Sequence, residues 1–154
     1  MMNTPPFDLA VAQRWFAVEL NNLAWDLVET ATLSEAQAQR MIHAAHAACY
    51  FWIEAGDLLN HLRAQNLLAT AYAKAGRGEA AVYHAEKCVD LSLEAGDTQT
   101  DFDRAVAYGC ADSACRAAGK IELARNYRAQ AVELSRKLTD ADEKSVFDRL
   151  YGGT

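Results

Sequence analysis

Proline is nearly absent. Of 154 residues only Pro5 and Pro6 are prolines, so nothing after them is barred from a helix by a missing N–H. Strict apolar–polar alternation is missing too, and β-branched residues are sparse, which argues against a fold built on sheets. No apolar run approaches the roughly 20 residues needed to span a bilayer, and no basic segment precedes an apolar stretch near the start. Neither a membrane span nor a secretory signal is therefore expected. Positive charge is in deficit: 15 Lys and Arg against 21 Asp and Glu leave a net charge of −6, which argues against a nucleic-acid backbone or an anionic membrane as partner. The four cysteines, Cys49, Cys88, Cys110 and Cys115, show no CxxC spacing. Each stands among alanines, as a small buried hydrophobe with a reduced thiol does. A soluble, cytoplasmic protein is the expectation.

Catalytic constellations are missing as well. The chain has no Gly-rich phosphate loop, no nucleophile elbow, no HExxH and no ExxH pair of the kind that builds a di-iron bundle. No spacing singles out two of the 21 carboxylates for acid–base work. The chain is read as a non-enzyme without a cofactor.

What is present points to helices. Hydrophobic residues make up 51% and charged residues 23%, enough apolar surface for a core in a domain of this length. Roughly a fifth of the residues are alanine, the best helix former. Four similar breaks interrupt the apolar periodicity: Ala55-Gly56-Asp57, Ala75-Gly76-Arg77, Ala95-Gly96-Asp97 and Ala118-Gly119-Lys120. A glycine there can take the left-handed conformation that ends a helix. Ile53–Asp57 matches Leu93–Asp97 at an offset of 40, while Gly76 and Gly119 are offset by 43 and fall inside hairpins. Seven helices are expected, at about 6–30, 34–55, 58–75, 78–95, 100–118, 120–138 and 140–151. Ser34 caps the second, and Thr139 with Asp142 suggests a capping box for the last. All of residues 1–154 then form one all-α domain of three antiparallel hairpins (6–56, 57–96, 97–138) closed by a C-terminal capping helix.

The middle hairpin resembles a tetratricopeptide repeat. Leu68, Ala69, Ala71 and Tyr72 match the large-small-small-aromatic set of that repeat's first helix, Gly76 falls at its turn, and Ala81, Ala85 and Cys88 match the second helix. In the next hairpin Tyr108, Ala114, Gly119, Ala124 and Ala131 are in register, but Asp112 stands where a small residue is usual. The first hairpin, with Ala45 and Ala48, follows by periodicity. The repeat's proline after the second helix is absent throughout. The resemblance covers residues 60–135 best, and the whole chain is also similar to small bacterial helical-repeat proteins. It implies a right-handed stack of hairpins, an α-solenoid with a concave side.

Helix one carries two apolar seams. Leu9, Gln13, Phe16, Leu20, Leu23 and Leu27 follow one, and Val11, Trp15, Val18, Asn22 and Trp25 the other. A helix apolar on two sides sits between layers or covers a partner, so a homodimer through the face of Trp15 and Trp25 is one reading. Asn22 and Asn66 interrupt apolar stripes. Either they tie neighbouring helices through backbone hydrogen bonds or, as the resemblance implies, they grip a peptide with Arg63 and Arg104 on the concave side. Asp112 pairs with Arg116 one turn on, or joins Asp101 and Tyr108 in an acidic ledge. His43 and His46 are spaced for a shared ion, yet His46 lies on a stripe with Ile42, Cys49 and Ile53, as a core histidine does. His61 and His84 read as isolated surface or groove residues.

The expected function is a protein-interaction module that docks a partner segment or self-associates. Its candidate partner-binding residues are Asn22, Asp26, Arg63, Asn66, Tyr72 and Asp112. The alternative is a small-ligand or metal sensor with a cavity between hairpins and His43 and His46 as contacts.

Overall fold

In a computed structural model the chain is described over residues 4–153, and these form seven α-helices: α1 (Leu9–Glu29), α2 (Glu35–Ala55), α3 (Leu58–Lys74), α4 (Gly78–Ala95), α5 (Asp101–Ala117), α6 (Ile121–Ser135) and α7 (Ala141–Tyr151). One turn of 3₁₀ helix, Gly96–Thr98, follows α4. The described residues contain no strand.

Side-chain oxygens fix most starts. Asp8, not the Pro5-Pro6 pair, begins α1, accepting from the Val11 N–H. Ser34 with Gln37, Asp57 with Asn60 and Thr100 with Asp103 form reciprocal capping boxes at α2, α3 and α5. At α7 the expected box from Thr139 does not form. Asp140 is the cap, its Oδ1 accepting from the backbone N–H groups of both Asp142 and Glu143.

The ends separate two glycine roles. Gly76 and Gly119 have φ of +70° and +73°, and each is followed by a bond from three residues past the helix back to its last turn (Arg77 N–H to Tyr72 O, Lys120 N–H to Cys115 O). Gly56 and Gly96, expected to be equivalent, are not. Gly96 is left-handed with φ +51°, whereas Gly56 is extended at φ −107°. At Gly56 the constraint is space: a Cβ would lie 2.6 Å from Trp52 O and 2.7 Å from Asn60 Cβ, where α2 passes into α3 through Gly56 and Asp57 alone.

Successive helices pack from α1 to α6, and the odd-numbered helices also touch in order, α1 to α3, α3 to α5 and α5 to α7. Alanine dominates the contacts. Ala17, Ala45, Ala69, Ala81, Ala105, Ala114 and Ala124 are all fully buried, so the helix axes can approach closely. One apolar cluster joins α1, α2 and α3 and another joins α3 through α7, with Tyr72 and Leu150 packed against both. The last helix does not simply cap the end. Arg149 reaches Glu29 on α1, Tyr151 reaches Thr70 and Asn66 on α3, and its ring lies against Gly109 on α5. It therefore crosses the face made by the odd-numbered helices.

Candidate functional site

The residues expected to grip a partner on that face bond within the chain instead. Arg63 on α3 donates Nε and Nη2 to the two carboxylate oxygens of Asp103 on α5, at 2.9 and 3.0 Å. Asp103 also closes the Thr100 capping box. Burial alone would raise its pKa, but the bonds from Arg63 and Thr100 and the Arg63 charge outweigh this and hold the carboxyl below its ordinary value. Asn66, only 4% exposed, donates to Val106 O at 3.2 Å and accepts from the Tyr151 hydroxyl at 3.2 Å. Its amide thus ties α3 to both α5 and α7.

Asp112, 3% exposed, accepts from Arg116 Nε at 2.7 Å, with Arg128 of α6 3.9 Å from its other oxygen. Arg128 also donates to the backbone oxygens of Tyr151 and Gly152, which places a cation at the C-terminal end of α7. The acidic ledge is not assembled. Asp112 is buried, while Asp101 is exposed and pairs with Arg104, which also bonds Gly96 O and Asp97. Arg104 and Tyr108 instead line a concavity of about 540 Å³ with Leu93 and Leu134.

Asn22 and Asp26 stand on the exposed side of α1, away from Arg63 and Asn66. Asn22 is therefore not the buried tie that its stripe suggested. Between α1, α3, α5 and α7 a space of about 590 Å³ remains, walled by Trp25, Trp52, Phe102 and Leu150 with Arg63 and Asn66 at its edge. Trp15 and Trp25, expected on one face, are separated: Trp25 is half-buried in this wall and Trp15 is exposed.

Tyr72 belongs to a different group. Its hydroxyl lies 2.8 Å from His46 Nε2, and its ring stacks on His84 at 5.5 Å and 4°. His84 Nδ1 meets Gln65 Oε1 at 2.8 Å, and Gln65 Nε2 donates to Cys49 Sγ at 3.6 Å. Burial, with the His46 and Lys87 charges behind it, pushes His84 down to about 4, and burial followed by His43 lowers His46. His46 is exposed rather than a core residue, although Ile42 and Cys49 of the same stripe are buried. His43 and His46 do not converge on an ion site; among the described residues no three His, Cys, Asp or Glu side chains are grouped to hold a metal. His61 bonds Trp52 O at 3.0 Å. The pattern missed His84, Gln65, Asp103, Thr70 and Tyr151, and of these only Asp103 carried a local signal, the Thr100-x-x-Asp103 cap.

Several large apolar side chains are left uncovered at the α1–α2 end. Val11, Trp15, Tyr50 and Ile53 are 67%, 57%, 60% and 57% exposed. Trp15, Phe16, Phe51 and Tyr50 form one aromatic strip across the two helices, with successive ring centroids 5.0, 5.5 and 5.6 Å apart. Among the described residues no helix is long and apolar enough to cross a membrane. Comparison of the chain with protein-family models, with curated proteins and with solved structures finds no match in any of the three.

Proposed function

We propose that this chain is a non-catalytic protein-interaction module and that it works through the apolar end formed by α1 and α2. In this reading its helix pairs form a right-handed stack of the tetratricopeptide kind, whose odd-helix face is filled by its own α7. The carrying observation is the strip Trp15–Phe16–Phe51–Tyr50 with Val11 and Ile53 beside it. Clustered exposed apolar surface of this kind marks an interaction site. The charged and amide groups on the odd-helix face point the other way, since Arg63, Asn66 and Asp112 already have partners within the chain.

Sedimentation of the chain and of its Trp15→Glu variant, alone and with any protein partner offered, tests the proposal. Association by the parent chain and its loss in the variant, with unchanged circular dichroism, is the expected pair of results. Association that survives Trp15→Glu and Tyr50→Ser would place the contact elsewhere.

The space of about 590 Å³ supports a second reading, a small apolar ligand held between Trp25, Trp52 and Phe102. Its size falls in the usual range for ligand pockets. In that reading His43 and His46 are not contacts, because neither lines the space.

A further inference from the structure

The exposed seam of α1 has a heptad order. Val11, Trp15, Val18 and Asn22 follow one another at spacings of 4, 3 and 4 residues, which assigns Trp15 and Asn22 to a positions and Val11 and Val18 to d positions. Val11 and Trp15 are more than half exposed, Val18 is 37% exposed and Asn22 is exposed, so the seam faces outward along three turns. On this frame Arg14 is a g residue and Glu19 an e residue, one on each flank. Neither has an ion-pair partner among the described residues; Arg14 lies over the Trp52 ring at 5.7 Å, and its side chain is exposed.

We propose that the occupant of this face is a second copy of the chain, docked with its α1 parallel and in register with the first. The inference rests on the interaction-module reading above and names its partner. In a parallel pair a g residue meets the e residue five positions on in the other helix. Arg14 therefore meets Glu19 of the second copy, and the two-fold axis makes that pair twice. Asn22 faces Asn22 at an a layer, where two amides satisfy each other and fix the register at some cost in stability. An antiparallel pair loses both matches. Like flanks would meet, so Arg14 would no longer face Glu19, and Asn22 would oppose Val11 with no hydrogen-bond partner.

The test is charge exchange. Arg14→Glu sets Glu against Glu19 of the second copy, and Glu19→Arg sets Arg against Arg14, so each variant alone should dimerise about tenfold more weakly than the parent. Mixed one to one, the two variants form opposite-charge pairs on both flanks, and the mixture should return to within about threefold of the parent affinity. Asn22→Cys gives a second readout. The four native cysteines are buried, so the introduced thiol is the accessible one, and a parallel, in-register dimer crosslinks through it under mild oxidation. A parent chain that stays monomeric at its highest soluble concentration overturns the inference but leaves the face open to a different protein. A dimer that ignores Trp15→Glu as well as both charge reversals overturns the inference and the α1–α2 reading together. A dimer lost with Trp15→Glu but not rescued by mixing, and not crosslinked through Asn22→Cys, overturns the parallel register alone.

Discussion

Tyr151, the last residue of α7, donates its hydroxyl to Asn66 on α3 at 3.2 Å, across 85 residues of chain. The same oxygen lies 2.8 Å from Thr70 Oγ1, in surroundings that leave the ring 4% exposed and raise the phenol's pKa through burial. An 11-residue helix is too short to persist alone in water, so α7 depends on these contacts. Tyr151→Phe keeps the ring and deletes the hydroxyl, leaving Asn66 Oδ1 buried with one fewer partner. A loss of about 1–3 kcal/mol is expected, read as a lower urea midpoint at unchanged slope. A change under 0.5 kcal/mol in urea would mean that water takes the place of the lost bond.

Gly109 tests the same docking from the other side. A Cβ built there meets Tyr151 Cγ at 2.8 Å and Cβ at 3.0 Å, and a ring fixed by two hydrogen bonds has little room to retreat. Although alanine favours a helix, Gly109→Ala should destabilise by about 1–3 kcal/mol through overpacking. Hydrogen exchange should localise the loss to α7. Faster exchange confined to α4 or α6 would contradict this.

Arg63 on α3 and Asp103 on α5 stand 40 residues apart, and their opposite charges tie the two helices. The depressed Asp103 pKa stabilises the fold above the ordinary value of 3.8, and that stabilisation is lost as pH falls through the lower folded value. Asp103→Asn should flatten the acid limb of stability against pH and lower stability at neutral pH, as followed by thermal unfolding. An acid limb as steep as the parent's would assign the transition to other carboxylates.

His84 produces a second pH window. Its imidazole stacks on Tyr72 of α3, bonds Gln65 of α3, and faces His46 of α2 with Tyr83 and Lys87 of its own helix nearby. With the folded value pushed down to about 4 from 6.5, the unfolded chain takes up the proton first. Stability should therefore be full above about pH 6.5 and fall progressively toward pH 4. His84→Gln should remove much of that slope, and an NMR titration should place the His84 midpoint well below 6.5. A midpoint near 6.5 would contradict the geometry.

Much of the architecture was legible because helix signals are local. Two prolines, abundant alanine and the Ser34 cap announce helices without reference to the rest of the chain. Gly56 was misread because a short link and a close backbone approach call for glycine as readily as a left-handed φ does. Asn22 and Asn66 looked alike in sequence, each breaking an apolar stripe, yet one is exposed and the other holds three helices together. That difference lies in α7, whose position across α1, α3 and α5 depends on pairs as distant as Arg149 with Glu29. Periodicity carries no information about contacts at that range. The outward seam of α1 was visible as a second apolar stripe, because a stripe on the far side of a packed helix needs no tertiary information to be seen.

Native mass spectrometry of the untagged chain, beside its Trp15→Glu variant, tests the central claim most directly. The account predicts a parent mass of twice the bare chain with nothing added, and a single bare chain for the variant. A monomeric parent carrying an excess mass that disappears on denaturation would contradict it and move the function into the space between Trp25, Trp52 and Phe102.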